Sequence, residues 1–409
     1  MVARPNVLMI SPFMPDRSGT GAQQRAATLL TVLQSDAEVT LWILRGVAGS
    51  RPAHPGLGVP VIHFPMSGPT AKDLEAGSTE ELSRLAIAGE IRRTAMLPAA
   101  RFDLAVCFRL QSAVFLERAE YQVGPLAKRR ITDLDDVESV LLQRLGAIAD
   151  RTGPGQSAES AHRAHLARRA EDRCLASHDL VMVASPTDET RLRQLGHDVC
   201  LAVSPNCVPW PEAPVRQRKA PAEIALTFVG NYGYQPNVDA VEWFVGDVLP
   251  ELIQHATVGF RVDIVGYNMD RLQASVCDGP RLRLVGEVQT LRPTYEESDI
   301  VIAPVRVGSG TRMKILEAMS YGLPVVSTSA GIEGIRAVSD EHVLLADCAA
   351  DFAHACADLM IDARLRRMIG TRARSLIHSY YTVDAVAPLL RTLIFGDGAG
   401  RGRGAATSH

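Results

Sequence analysis

The chain has 409 residues, of which 46% are hydrophobic and 22% are charged, a composition typical of a globular protein long enough for two hydrophobic cores. Its formal net charge of -3 gives no basic excess, which argues against a nucleic-acid-binding protein or one held electrostatically on an anionic membrane. The seven cysteines form no C-x-x-C pair, so we expect reduced thiols rather than a disulfide framework or a zinc site.

Segments with strand and helix character alternate from residue 6 onward, which predicts βαβ units and a mainly parallel sheet. The first half contains, in chain order, a strand at 6–11, a helix at 21–34, strands at 38–44, 102–108 and 129–135, a helix at 137–149, a Gly/Pro/Ser-rich break at 151–160, a helix at 162–177 and a strand at 179–185. We interpret residues 1–207 as one doubly wound, Rossmann-like domain.

A proline-rich segment at 208–222 without periodicity predicts a linker, after which the alternation restarts. The second half contains strands at 224–230, 260–266, 282–286, 299–305 and 324–328, and helices at 237–253, 291–298 and from 313 onward. We predict a second Rossmann-like domain at 223–378, a helix at 379–395 and a Gly-rich disordered tail at 396–409. Two such domains joined by a linker leave a cleft between them.

The chain contains no long apolar segment. The apolar run at 7–10 is too short for the hydrophobic region of a signal peptide, and no stretch reaches the roughly 18 apolar residues of a membrane span. We therefore predict a cytoplasmic protein, and a peripheral membrane contact stays open.

The run GSGTRMKILEAMSYGLP begins at Gly308, where it follows a predicted strand and opens a short helix. Its glycines let backbone N–H groups approach a ligand closely, and the helix N-terminus carries a positive dipole, so the loop predicts an anion site. Arg312 and Lys314 lie in the first turn, where a cation is unfavourable unless an anion is bound, which favours a phosphate ligand. Glu317 lies behind that site, where it can accept hydrogen bonds from ribose, although a surface ion pair with Lys314 is the alternative.

Residues 303–335, which contain this run, resemble the donor-binding segment of family 4 glycosyltransferases, enzymes with two Rossmann-like domains in the GT-B arrangement. The resemblance extends over nearly all of the second half. In the first half it is weaker and is carried by the segments 11–30, 131–139 and 178–196. It implies an α/β GT-B fold whose parallel sheets face an interdomain cleft, with a last helix that returns to the first domain.

The resemblance also implies roles for residues of the glycine-rich run. Glu317 matches the second glutamate of the family's E-x(7)-E motif, whose side chain holds the nucleotide ribose. The first glutamate, which holds donor-sugar hydroxyls, falls at Ser309, a departure from the motif. The backbone of Gly310, Thr311 and Arg312 matches the stretch that contacts the diphosphate and the sugar.

A second departure lies in the segment FVGNYGYQPN, which ends the first strand of the second domain. The family carries an arginine directly after Gly230 and a lysine five residues later, and here these positions are Asn231 and Pro236. The charge on the diphosphate must then be met by Arg312 and Lys314. By resemblance, the segment that ends at Val288 reads the base through its backbone.

In the first half, Gly19, Thr20 and Gly21 form a strand-to-helix turn. The turn lacks the third glycine of G-x-G-x-x-G and fails as a dinucleotide fingerprint, but it suits a cleft-facing loop opposite the donor site. By resemblance, Arg109 or Cys107 takes the place of the family's catalytic-site histidine. Arg109 either contacts phosphate or acceptor or is a buried ion-pair partner.

Asp133 and Asp135 form a D-x-D pattern at the end of a predicted strand. The pattern resembles the manganese motif of the other glycosyltransferase fold, but helix N-capping and acceptor contacts are the alternatives, and we expect no metal site.

The predicted function is transfer of a glycosyl group from a nucleotide sugar to a hydroxyl acceptor, a small molecule, a glycan or a lipid-linked sugar. The donor is a UDP-sugar, or a GDP- or dTDP-sugar, and neither a cofactor nor a divalent metal is required. The resemblance implies retention of configuration, with the departing phosphate receiving the acceptor proton. The predicted catalytic residues are Arg312, Lys314 and Glu317, of which the two cations stabilise the leaving diphosphate. A nucleotide-sugar 2-epimerase of the same fold and a non-catalytic binding subunit are the alternatives.

Overall fold

The computed structural model describes residues 4–44, 57–64, 102–152, 156–197, 199–215, 223–272 and 281–396. Three predicted segments lie partly outside the described residues: the break (at 153–155), the linker (its second half, 216–222) and the tail (all but its first residue, 397–409).

The first half of the chain folds around a sheet of seven parallel strands. Its strands are β1 (Asn6–Ser11), β2 (Glu38–Ile43), β3 (Val61–His63), β4 (Phe102–Phe108), β5 (Ala127–Leu134), β6 (Leu180–Val183) and β7 (Leu201–Val203). Its described helices are α1 (Gly21–Asp36), α2 (Leu110–Val123), α3 (Glu138–Thr152), α4 (Gln156–Ala176) and α5 (Pro186–Gln194). Neither β3 nor β7 was predicted from the sequence, since three residues are too few to show a period.

The second half folds around a sheet of six parallel strands. Its strands are β8 (Ile224–Asn231), β9 (Phe260–Tyr267), β10 (Leu282–Gly286), β11 (Ile300–Ala303), β12 (Val325–Ser327) and β13 (Leu344–Leu345). Its described helices are α6 (Gln235–Trp243), α7 (Leu249–His255), α8 (Arg292–Glu297), α9 (Met313–Ser320), α10 (Ala349–Ile361), α11 (Ala363–Tyr380) and α12 (Val383–Phe395).

The helix predicted at 237–253 is interrupted by a π-helical turn at Phe244–Val248. Pro250 follows in the first turn of α7 and has no N–H, so it cannot bond the carbonyl four residues earlier. A wider turn accommodates this missing bond.

Both sheets have a topological switch point. The strand orders are β3-β2-β1-β4-β5-β6-β7 and β10-β9-β8-β11-β12-β13, so the order reverses between β1 and β4 and between β8 and β11. The loops after these strands diverge and leave a crevice at the carboxyl ends, where ligands bind in open α/β sheets. The glycine-rich run follows β11, and the turn at 19–21 follows β1.

Apolar residues cover both faces of each sheet, as parallel sheets require. In β1, Leu8 and Ile10 pack into one core, whereas Val7 and Met9 pack into the core on the opposite face. Side chains within the strands are buried in these cores. Those just beyond the strand ends can instead point into the crevice.

The chain passes from the first half to the second near Val208 and returns near Thr382, and these two crossings lie side by side. Val208 pairs with Thr382 in a parallel bridge, and the Val208 N–H donates to the Tyr381 carbonyl at 2.8 Å. Beyond this bridge, α12 returns to the first half and inserts Leu390 and Ile394 into the core beneath α1. The Arg391 guanidinium also pairs with Asp36 at 2.8 Å.

Candidate functional site

The glycine-rich loop is held by its own arginine. Gly308 and Gly310 both have positive φ, +142° and +70°, and Arg312 takes the N-cap position of α9 with an extended backbone. The Arg312 guanidinium folds back and donates to the carbonyls of Ser309 and Gly310, the latter at 2.8 Å. Arg312 therefore stabilises the loop that precedes α9, and its side chain makes no capping hydrogen bond to the N–H groups of that helix. Its direct contact with a phosphate stays a prediction.

Lys314 lies in the first turn of α9, and none of the carboxylates in the described ranges is at hydrogen-bond distance from its Nζ. Its Nζ donates to Asn237 Oδ1 at 2.7 Å and lies 4.1 Å from the centre of the Phe228 ring. Burial and the nearby Arg312 lower the pKa of Lys314 to about 7, against the opposing effect of Glu317. A cation held in these surroundings gains from any anion that binds beside it.

Glu317 does not form the surface ion pair with Lys314 that was the alternative interpretation. It accepts from Gln24 Nε2 at 3.2 Å and from the Tyr295 hydroxyl at 3.4 Å, and burial raises its pKa. Gln24 belongs to α1 of the first half, so the carboxylate lies where the two halves meet. Both hydrogen bonds are long, and hydroxyl groups of a ligand can replace them.

Replacing Glu317 by alanine should weaken binding of a nucleoside diphosphate by about 1.5–3 kcal/mol, the value of hydrogen bonds to a charged group. Titration calorimetry measures the change directly, and Glu251→Ala, which removes an exposed carboxylate of α7, is the matched control. Unchanged affinity in a folded Glu317→Ala protein would refute the assignment of ribose to this residue.

The turn at 19–21 faces α9 across the cleft. The Thr20 N–H and hydroxyl both donate to Gln23 Oε1, at 3.0 and 3.1 Å, which fixes the start of α1. A Cβ added to Gly21 would lie 2.5 Å from Met313 Cγ, so only glycine permits this approach. Gly19 lies in the same turn, and the whole turn is therefore placed against the first residue of α9.

The second departure from the family motif has a structural consequence. The Asn231 side chain holds its own turn, because its Oδ1 accepts from the Gly233 N–H at 2.8 Å and from Asn268 Nδ2 at 2.9 Å. Gly230 lies at the end of β8 beside this turn, and Pro236 lies in the first turn of α6. None of these groups is a cation, whereas Lys314 approaches the end of β8 through Asn237, whose Nδ2 donates to the Asn231 carbonyl at 2.8 Å. Val288 follows β10 and is half-buried.

Arg109 is an ion-pair partner in the cleft. It begins α2 with a φ of +67° and donates to Asp135 at 2.6 Å and to Asp136 at 3.2 Å. Its guanidinium also lies 5.9 Å from the centre of the Phe13 ring. The structure therefore favours the ion-pair interpretation of Arg109, at a position where a quarter of its side chain is still exposed to the cleft.

Asp133 and Asp135 point to different places. Asp133 is buried and pairs with Arg25 at 2.7 Å, while Arg25 also donates to Asn206 at 3.0 Å. The structure thus does not bring Asp133 to the cleft, because its carboxylate is used to neutralise a buried guanidinium. Across the described ranges, no group of three or more His, Cys, Asp or Glu residues is placed to hold a metal.

Asp136 is the cleft residue that the sequence analysis missed. It lies two residues beyond β5, and its Oδ1 accepts from the Ser309 hydroxyl at 2.9 Å. Burial and the neighbouring Asp135 raise the pKa of Asp136 to about 6. The signal that could have found it is its position: an acid beyond the carboxyl end of a parallel strand faces the crevice, whereas one within the strand packs.

Two further arginines of the first half reach the second. Arg144 of α3 donates to the Gly308 carbonyl and pairs with Glu333 at 3.0 Å, and Arg191 of α5 pairs with the same carboxylate. Against the effect of burial, these two arginines lower the pKa of Glu333. Together with Ser309–Asp136 and Gln24–Glu317, they bind the two halves together around the glycine-rich loop.

Part of the second half is similar to a known protein family. Residues 223–362 match the family model of Glycosyl transferases group 1. Over 130 residues the chain is 28% identical to an uncharacterised 44.6 kDa protein in the cps region of Klebsiella pneumoniae, a match that spans 30% of this chain and about a third (33%) of that protein. No described helix is both long and apolar enough to cross a bilayer.

Similar solved structures cover nearly the whole chain. Sucrose-phosphate synthase from Thermosynechococcus elongatus superposes with a TM-score of 0.71 at 17% identity, over 95% of this chain and 98% of that one. HepE from Anabaena, solved in complex with UDP and glucose, superposes with a TM-score of 0.65 at 14% identity, over 94% and 98%. At these identities the similarity is one of fold. The two halves of the chain thus together have the GT-B fold, and the segment that matches the Glycosyl transferases group 1 family model, residues 223–362, lies in the second half.

Proposed function

We propose that this protein transfers a glycosyl group from a nucleotide sugar to an acceptor hydroxyl, with retention of configuration and without a divalent metal. The observation that carries the proposal is the arrangement of α9: an N-terminus that its N-cap side chain does not cap, Lys314 in its first turn and Glu317 one turn further, all at the switch point of the second sheet. This order matches a nucleoside diphosphate, with phosphates at the helix N-terminus and ribose at the carboxylate.

The chemistry of the site suits a leaving group. When the glycosidic bond breaks, negative charge grows on the diphosphate, and the helix N-terminus and Lys314 interact with it more strongly than in the ground state. These groups take the place of a divalent ion, which is why we propose metal independence. The departing phosphate then accepts the acceptor proton on the same face of the sugar.

The comparisons support a choice of donor and acceptor to test. Since HepE is solved with UDP and glucose, a UDP-sugar is the first donor to test, with GDP- and dTDP-sugars as the others. For the acceptor we propose a glycan or a lipid-linked sugar, with a small molecule as the other candidate.

One observation favours a second candidate, a nucleotide-sugar 2-epimerase. Such an enzyme needs an acid/base carboxylate near the diphosphate, and Asp136, whose pKa is about 6, touches the glycine-rich loop. The two activities differ in one requirement: transfer needs an acceptor, and epimerisation does not.

A single assay separates the possibilities. The purified protein is incubated with UDP-, GDP- and dTDP-sugars, with and without saccharide and polyprenyl-diphosphate-linked acceptors, in the presence and absence of EDTA. We expect release of nucleoside diphosphate and a glycosylated product only with acceptor and equally in EDTA, with the anomeric configuration of the product read by proton NMR. An epimerised donor formed without acceptor would show the second activity. Absence of binding to every nucleotide sugar by calorimetry would refute both.

A further inference from the structure

The Asp136 carboxylate reaches across the cleft to the glycine-rich loop of the other domain. One of its oxygens accepts from Ser309 Oγ at 2.9 Å, and the other accepts from Arg109 Nη2 at 3.2 Å. A Cβ added to Gly310 would overlap the Asp136 Oδ1 atom, so the loop is glycine where the carboxylate approaches. The side chain is 17% exposed, which leaves it accessible from the cleft.

This carboxylate retains unused hydrogen-bonding capacity. An ionised carboxylate offers about four acceptor positions, and two are used here, one on each oxygen. Each oxygen can therefore accept one further bond, and the suitable donors are hydroxyl groups. Repulsion between two anions disfavours a phosphate in direct contact with Asp136, so the ligand group that its free acceptor positions suit is a neutral, hydroxyl-bearing one.

Neighbouring polar atoms also point to a ligand. Within the described part of the chain, Arg109 Nε, Arg312 Nη2 and Thr311 Oγ1 are buried and have no hydrogen-bond partner. Arg109 binds Asp136 directly, and Thr311 and Arg312 belong to the loop that Asp136 touches. Buried polar atoms normally find partners, so unpaired atoms around one cleft position indicate that a polar ligand completes their bonding.

The position of Ser309, the partner of Asp136, relative to α9 indicates which part of the ligand lies beside Asp136. Glu317 lies four residues after the first residue of α9, about 6 Å along the helix axis, whereas Ser309 lies before the helix begins. A nucleotide whose ribose is at Glu317 and whose phosphates are at the helix N-terminus extends its remaining group toward Ser309. In a nucleotide sugar that group is the transferred sugar.

We propose that Asp136 binds hydroxyl groups of the donor sugar, as a specificity-determining residue that the first domain contributes to the donor site of the second. The proposal rests on the proposed function, and it goes beyond it by naming the residue that selects the sugar. Because the carboxylate comes from the opposite domain, the sugar is recognised only when the cleft is closed. A nucleoside diphosphate without its sugar does not need this contact.

The test combines a variant with altered donors. Wild type and Asp136→Asn are compared on the best donor of the panel and on its 2-, 3-, 4- and 6-deoxy forms, by kcat/KM. We expect wild type to prefer the parent over at least one deoxy donor by about 10- to 100-fold, and Asp136→Asn to reduce that preference to less than about 3-fold. The Kd of the nucleoside diphosphate should stay within about twofold of the wild-type value.

The controls keep the result decisive. Asp103→Asn removes an exposed carboxylate at the amino end of β4 and should leave every rate and preference unchanged. Asp136→Ser serves if the asparagine variant does not fold by circular dichroism. A uniform loss over all donors, or a loss of nucleotide affinity, would overturn the proposal while the proposed function stands. Failure of the proposed function looks different, because wild type itself then uses no donor.

Discussion

Replacing Lys314 by methionine is expected to lower kcat by about 10²-fold or more, with a smaller change in the Kd of the nucleoside diphosphate. Methionine keeps the length and the contact with the Phe228 ring but removes the charge that meets the leaving diphosphate. Asn231 and Pro236 carry no charge and cannot replace it. Steady-state kinetics and calorimetry on the same protein measure the two effects.

The pH dependence gives an independent check on Lys314. Its pKa of about 7 means that the free protein loses this charge as the pH rises through 7, so kcat/KM should fall by about tenfold per pH unit above that value. Lys314→Arg, which stays charged, should flatten the profile. Lys128→Met, a change at an exposed lysine of β5, should leave rate and profile intact. A near-normal kcat in Lys314→Met would refute the leaving-group role.

Replacing Gly310 by alanine is expected to lower kcat/KM by about 10²-fold or more, because it keeps the cleft from closing. The φ of +70° is strained for alanine by about 1–2 kcal/mol, and the new Cβ would overlap Asp136 and lie 3.2 Å from the Asp135 carbonyl. The two domains can separate to relieve this overlap, so activity should be lost before the fold is.

Gly196→Ala is the matched control for this change. Its φ is +85°, which imposes the same kind of strain, but no atom lies within 4 Å of the added Cβ. It should lower thermal stability by a similar amount and leave turnover unchanged. If both alanine variants lose activity equally, backbone strain rather than the approach of Asp136 explains the effect.

The glycine-rich loop and the helix after it were predictable because their signals are local. One short segment contains two glycines at positive φ, the eight residues of α9 and Gly322 after its last turn. Turns and helix caps are determined mainly by residues adjacent in sequence, so they can be predicted without knowledge of tertiary contacts. The fold class was predictable for the same reason, since the alternation of strand and helix patterns needs only the sequence.

The partners of the site residues were not predictable in this way. Asp136 meets Ser309, and Gln24 meets Glu317, only because two domains close on each other, and no local pattern encodes that approach. Arg312 Nη1 donates to two carbonyls of its own loop, which no sequence pattern predicts, and the contact of Arg312 with a phosphate stays a prediction.

The acids near the end of β5 show the same limit. In the sequence, nothing distinguishes Asp133 from Asp135. In the structure, Asp133 pairs with the buried Arg25 and Asp135 pairs with Arg109. A buried guanidinium must be paired, so its position decides which acid is left for the cleft. That position depends on how α1 packs against the sheet.

Hydrogen exchange with and without UDP tests the central claim most directly, which is that a nucleoside diphosphate binds at the start of α9 while both domains close over it. The protein is labelled in the two conditions, and peptides containing 19–21 and 308–312 are compared by mass spectrometry. We predict slower exchange in both peptides when UDP is bound, because the ligand pairs the N–H groups of one loop and the closed cleft shields the other. Protection of 308–312 alone, or of neither segment at saturating nucleotide, would contradict the account.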